Sequence, residues 1–220
     1  MLGKTLRDNA IFFIPYFILL VFLCPFLILN SKSEIHFFIN RYHSGFSDIS
    51  FALLTYLGDG LFIILPVIVL LFISLRHAIF LLTAYLSTGL VTQILKRAFF
   101  EDALRPSRFL EGMGKLRIVD GVELLGSRSF PSGHATSAFA IFLGLALIIR
   151  SRYLKLVCFL IACLVAYSRV YLSQHFLIDI IIGSLIGTLG TLAIYMAFYK
   201  SNHKWDSWRI QNVFTHEQQA

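Results

Sequence analysis

Six stretches of this chain are too apolar to be anything but membrane-spanning or deeply buried helices: residues 11–29, 49–75, 78–94, 132–149, 154–170 and 176–199. A bilayer's hydrocarbon core, about 30 Å thick, is crossed by roughly 20 apolar residues in a helix. Inside it every backbone polar group must find its partner within the segment, which favours helices over irregular chain. The 220 residues are 57% hydrophobic and include 22 phenylalanines, with a mean hydropathy of +0.77. That composition excludes an ordinary soluble domain. The expectation is all-α: a polytopic membrane protein, a six-transmembrane-helix bundle with an outward loop and interfacial helices, forming a single domain over 1–220. The first run is about 19 residues, long enough to span and longer than the apolar core of a cleavable signal.

The segments between the runs refine this picture. Residues 30–48 mix Ile35, Phe37, Phe38 and Phe46 with Lys32, Glu34, His36 and Arg41, a pattern for an amphipathic helix lying on the membrane. Residues 97–130 are the longest polar stretch, with four glycines, and read as an ordered loop with one short helix. Residues 200–220 form a polar tail with Trp205 and Trp208 placed for an interface. The net charge of +7 would suggest nucleic acid in a soluble protein; here the cations sit at the ends of apolar runs, so the partner is the bilayer. Cys24, Cys158 and Cys163 lie inside apolar runs and read as small buried hydrophobes, with no disulfide framework or metal spacing. Six spans put both termini on one side. Nine of the 19 Lys and Arg fall on that side, so the raw count decides nothing, but its short connections are basic. The termini are therefore expected in the cytoplasm.

On that assignment four polar clusters share the outward face. Lys96 and Arg97 end the third run, and Arg105-Pro106 follow in the loop. Pro131-Ser132-Gly133-His134 open the fourth run. A proline suits a first helical turn, and the N–H groups of Ser132 and Gly133 would then be free to bind an anion. Ser168-Arg169 through His175 and Asp179 join the fifth and sixth. Were a helix to start near His175, it would carry Asp179 one turn on from the imidazole. A carboxylate there can hold the Nδ1–H and leave Nε2 free to attack. Arg169, in a loop folding back, would offer its fork to an oxyanion.

These residues resemble the type 2 phosphatidic acid phosphatase (PAP2) family, over about residues 55–190. Pro-Ser-Gly-His stands unchanged at 131–134, and Ser-Arg-x5-His-x3-Asp unchanged as Ser168, Arg169, His175 and Asp179. The first family block departs. Its usual gap of six residues between lysine and Arg-Pro is eight here, counted from Lys96 to Arg105, or seven from Arg97. The resemblance implies a catalytic set of His175 as nucleophile, Asp179 as its orienter and His134 as general acid. It implies phosphate binding by Lys96, Arg105, Ser132, Gly133 and Arg169, with no metal and no cofactor. It further implies a lipid phosphatase acting through a phosphohistidine. Undecaprenyl diphosphate, lipid A phosphate, phosphatidylglycerol phosphate and phosphatidic acid are the candidate substrates. The expected setting is a bacterial inner membrane with the active site on the periplasmic face. A lipid phosphotransferase using the same histidine, and a non-catalytic anionic-lipid-binding protein, are the alternatives. The sequence carries no signal for oligomeric state.

Overall fold

The structure is a computed structural model that describes residues 1–200. Among them ten α-helices and one 3-10 turn occur, and no strand. They are α1 (Leu2–Asp8), α2 (Ala10–Leu29), α3 (Lys32–Asn40), α4 (Gly45–Leu54), α5 (Ile64–Ile73), α6 (Leu75–Ala98), α7 (Pro106–Phe109), α8 (Gly133–Ile148), α9 (Arg152–Tyr171) and α10 (Leu177–Lys200), with the 3-10 turn Thr55–Gly58 between α4 and α5. Four helices, α2, α6, α9 and α10, are long and apolar enough to cross a membrane; α5 and α8 are apolar but shorter. Trp205 and Trp208 lie outside the described residues.

α8 sits at the centre of the bundle. It packs against α6, α9 and α10 at once, and Ala135, Ala138, Ala140, Ile141 and Leu143 are fully enclosed. A helix apolar on every side belongs at the centre of a bundle. The lipid-side face is carried instead by helices such as α2, where Phe17, Phe22, Ile28 and Leu29 are exposed and only Phe12 and Tyr16 are buried. Cys24 is exposed on this same helix, against the expectation of burial. The run at 49–75 is not one helix. It breaks at Gly58-Asp59-Gly60, and a Cβ at Gly58 would lie 3.0 Å from the His134 carbonyl oxygen. Tertiary contact with α8 overrides the apolar run there. Arg76-His77, which separate the second and third apolar runs, are already helical, because α6 starts at Leu75; the Arg76 guanidinium donates to the Phe198 carbonyl at 2.8 Å.

Three glycines let α10 lie against its neighbours. A Cβ on Gly183 would stand 2.5 Å from the Ser132 carbonyl oxygen, and one on Gly187 2.5 Å from that of Thr136. Gly190 faces the Thr88 side chain of α6 in the same way. Close backbone approach through small residues is how helices associate where lipid removes the hydrophobic drive.

The segment 30–48 divides into α3 and the start of α4. α3 is opened by a capping box: Ser31 Oγ accepts the Glu34 N–H while the Glu34 carboxylate accepts the Ser31 N–H. It is not merely interfacial, because Ile35, His36 and Asn40 are buried against the bundle. Asn40 bonds both the N–H and the C=O of Arg117, each at 2.9 Å, and Arg117 pairs with Asp48 at 3.1 Å. The long loop is thereby tied to α3 and α4, and its short helix is α7.

Candidate active site

The junction between α9 and α10 holds the chemistry. α10 begins at Leu177, so His175 stands ahead of the helix and not on it. The two groups still meet: His175 Nδ1 is 3.5 Å from Asp179 Oδ2. Asp179 sits in the first turn of α10, where its Oδ2 also accepts the Phe176 N–H at 3.0 Å. That cap fixes the carboxylate before any substrate arrives. Ser129 stands between the partners, donating from Oγ to Asp179 Oδ2 and lying 3.4 Å from His175 Nδ1. Both His175 and Asp179 are almost wholly enclosed. Burial first, then the positive charges of Arg105, Lys96 and Arg169, holds the His175 imidazole well below its ordinary pKa and hence neutral.

Arg169 lies in the last turn of α9, not in a loop as expected. Its Nη1 donates to Thr55 Oγ1 at 2.6 Å, while its buried Nε has no partner among the described residues. Arg105 precedes α7, whose first residue is Pro106. Its Nε donates to the Ser127 carbonyl at 2.9 Å, and its Nη1 to both the carbonyl and Oε1 of Gln174 at 3.1 Å. Gln174 is held in turn, donating to the Glu123 carbonyl at 2.7 Å. Burial lowers the Arg105 pKa, and the Asp179 carboxylate opposes that shift.

The choice between Lys96 and Arg97 is geometric. Lys96 is buried, and its Nζ donates to the Arg128 carbonyl at 3.0 Å; Arg97 is exposed. Arg128 adopts φ 56°, which turns its carbonyl to Lys96 while its side chain pairs outward with Glu101. A turn closed by the Ala103 N–H on the Phe100 carbonyl at 3.3 Å takes up extra chain between Lys96 and Arg105.

Ser132 is the N-cap of α8, accepting the Ala135 N–H on its Oγ at 3.4 Å. Its own N–H is not free as expected. It donates at 3.0 Å to the Asp179 carbonyl, linking the two helix starts. Gly133 and His134 follow in the first turn, both partly exposed. The separate clusters meet through direct bonds: Ser132 N–H to the Asp179 carbonyl, Ser129 Oγ to the Asp179 carboxylate, and Arg105 to Gln174 beside His175. The residues that sequence reasoning left without a role are Ser129, Gln174, Thr55 and His36. Ser129 stood in view two positions before Pro131; the others carry no motif.

A bundle with membrane-capable helices that gathers a histidine–carboxylate pair and three buried cations defines a class: polytopic all-α membrane proteins with a buried, strongly cationic centre. The family model described as PAP2 superfamily matches residues 77–203, more than half of the chain, and the chain belongs to that superfamily. Its curated relatives include a lipid A 4'-phosphatase of Porphyromonas gingivalis, 28% identical over 133 residues, spanning 59% of this chain and 56% of that protein. A lipid A 4'-phosphatase of Bacteroides thetaiotaomicron is 31% identical over 97 residues, covering 44% of this chain and 43% of the relative. The match therefore spans about half the length of these relatives. The crystal structure of Aquifex aeolicus LpxE is similar at 29% identity and a TM-score of 0.64, covering 74% of this chain and 93% of that one. A phosphatidylglycerolphosphate phosphatase from Bacillus subtilis shares the fold, at 18% identity and a TM-score of 0.61 over 90% of this chain and 98% of that one.

Proposed function

We propose that this protein is a metal-independent phosphatase of membrane lipids, working through a phosphohistidine on His175. The observation that carries the reading is the placement of His175. Its Nδ1 faces Asp179 and Ser129, leaving Nε2 as the nitrogen for attack, and Arg105, Arg169 and Lys96 are the cations that act on it. Those fixed charges, with the Gly133 N–H and Ser132, would stabilise the phosphoryl oxygens as charge develops. His175 Nε2 forms a bond to phosphorus while the bond to the lipid oxygen breaks. His134 gives that oxygen a proton, so lipid alcohol or lipid phosphate leaves. A water molecule then attacks the phosphohistidine, His134 takes its proton, and inorganic phosphate departs. The buried cations Lys96, Arg105 and Arg169 would supply the charge that a metal brings to other phosphoryl transfers.

A lipid substrate is supported by the site's position at the ends of membrane-capable helices and by the curated relatives. The six apolar helices α2, α5, α6, α8, α9 and α10 would cross the membrane, α5 with the help of α4. Basic residues on the connection to α9 and on both terminal segments favour termini in the cytoplasm, which puts the site on the periplasmic face of a bacterial inner membrane. Of the candidate substrates, lipid A phosphate comes first on the relatives, with undecaprenyl diphosphate next as another lipid of that face.

The test is phosphate release by the purified protein from a panel of lipid phosphates, beside the His175→Ala variant. The expected result is release from one class of lipid, and no turnover by a folded His175→Ala protein. Full activity in that variant defeats the scheme, and transfer of phosphate to a second lipid instead of water reassigns it as a phosphotransferase.

A further inference from the structure

We propose that His36 of α3, which lies before the residues matched by the family, is a positioning residue for His175, holding in place the turn that presents the nucleophile. The inference rests on the phosphatase reading above. His36 is 1% exposed and touches that turn at both ends. Its Nε2 lies 3.1 Å from Ser173 Oγ, two residues before His175. Its ring packs edge-on against Phe176, one residue after, at 5.5 Å between centroids.

The turn needs such a hold. Ser173 adopts φ 54°, left-handed backbone that side chains other than glycine seldom take. Gln174 and His175 both donate their N–H groups to the Arg169 carbonyl, at 2.9 and 3.1 Å, which draws the chain tightly over the end of α9. Among the described residues the Ser173 hydroxyl is bonded by His36 and by the Asn40 amide, the latter at 3.4 Å. α3 is itself anchored by its capping box and by the bonds of Asn40 to Arg117. Lys32 adds a further clamp, with its ammonium 3.5 Å from the centre of the Phe109 ring and 4.9 Å from that of Phe176.

Packing alone does not call for an imidazole here. His36 Nδ1 is buried with no partner among the described residues, a cost that an apolar ring of similar size would avoid. What an apolar ring could not supply is the bond to Ser173.

The experiment measures kcat and KM of the full-length protein in detergent, with the lipid phosphate that the panel identifies. The variants are His36→Phe, His36→Gln, Ser173→Ala and the pair His36→Phe with Ser173→Ala. His36→Phe should lower kcat by roughly 10–100-fold, the range in which outer partners of catalytic groups act, with KM within about twofold. Ser173→Ala should lose about as much, and the pair no more than either alone, because both remove one interaction. His36→Gln, which can still reach the hydroxyl, should recover most of the rate. Unchanged kcat in His36→Phe, losses that multiply in the pair, or a glutamine no better than phenylalanine would each overturn the proposal. So would a loss of rate that only follows the fraction of protein folded. The His175→Ala protein separates this from the wider scheme: if it is active, the phosphatase mechanism fails; if it is dead while His36→Phe is normal, only the positioning role fails.

Discussion

Gly133 shows how a single residue can be set by something other than the protein's own packing. A Cβ there would meet no atom within 4 Å, and its φ is not in the left-handed range, so the fold itself would admit alanine. On the proposed mechanism the space lies where the phosphoryl group approaches the first turn of α8. Gly133→Ala is therefore expected to leave the melting temperature unchanged while raising KM for the lipid phosphate. A matching loss of stability would show that the glycine serves the fold. His134, next in the chain, is assigned a chemical task. Its replacement by alanine should cost roughly 10²–10⁴ in kcat, the scale of general acid–base catalysis, and a milder effect would remove it from the proton-transfer role. The helix start that carries both residues was legible, because the proline and the N-cap serine stand just before it. Ser129 was not assigned, because its bond to Asp179 spans 50 positions and depends on how α8 meets α10. His36 was hidden more deeply, standing 137 positions before Ser173 in an apolar, interfacial-looking neighbourhood.

At the scale of elements, the contact of α10 with α8 is the most exacting. Gly187→Ala would bring a methyl within 2.5 Å of the Thr136 carbonyl oxygen and 3.0 Å of Phe139 Cβ, and neither helix can yield without moving the site. Overpacking of this kind costs about 1–3 kcal/mol. Thermal unfolding in detergent should register it as a lower midpoint, together with reduced kcat, whereas alanine at Gly89, where a Cβ meets nothing within 4 Å, should change neither. An undiminished midpoint for Gly187→Ala would mean that the helices are not so closely packed. Element types were well marked by the apolar runs. Boundaries were not. The run at 49–75 gave no warning that Gly58 would be drawn against His134, or that the break would bring the Thr55 hydroxyl to Arg169. Periodicity reports what a segment would do alone, and here a long-range contact decides.

For the whole molecule, buried imidazoles link stability to acidity. Burial lowers the His36 pKa to about 4, with the Asp179 carboxylate opposing that shift, and His175 is also held well below its ordinary value. In the unfolded chain both would titrate near 6.5. Between that value and about 4 the unfolded state binds more protons, so stability is complete above pH 6.5 and is lost as pH falls through this window. Melting temperatures from pH 7.5 to 4.5 should decline accordingly, and His36→Gln should flatten the decline; an equal slope in the variant would refute the assignment.

One main-chain hydrogen bond, from Ser132 to the Asp179 carbonyl, has a wider meaning. It ties the mounts of the two imidazoles to each other, and the loop adds Ser129 and Arg105 to the same assembly. The lengthened interval before Arg105 is then easily borne, since added residues pass into a surface turn while Lys96 keeps its place. On the proposed function, a change at the rim of the loop alters which headgroup is admitted while the main-chain link between α8 and α10 stays as it is.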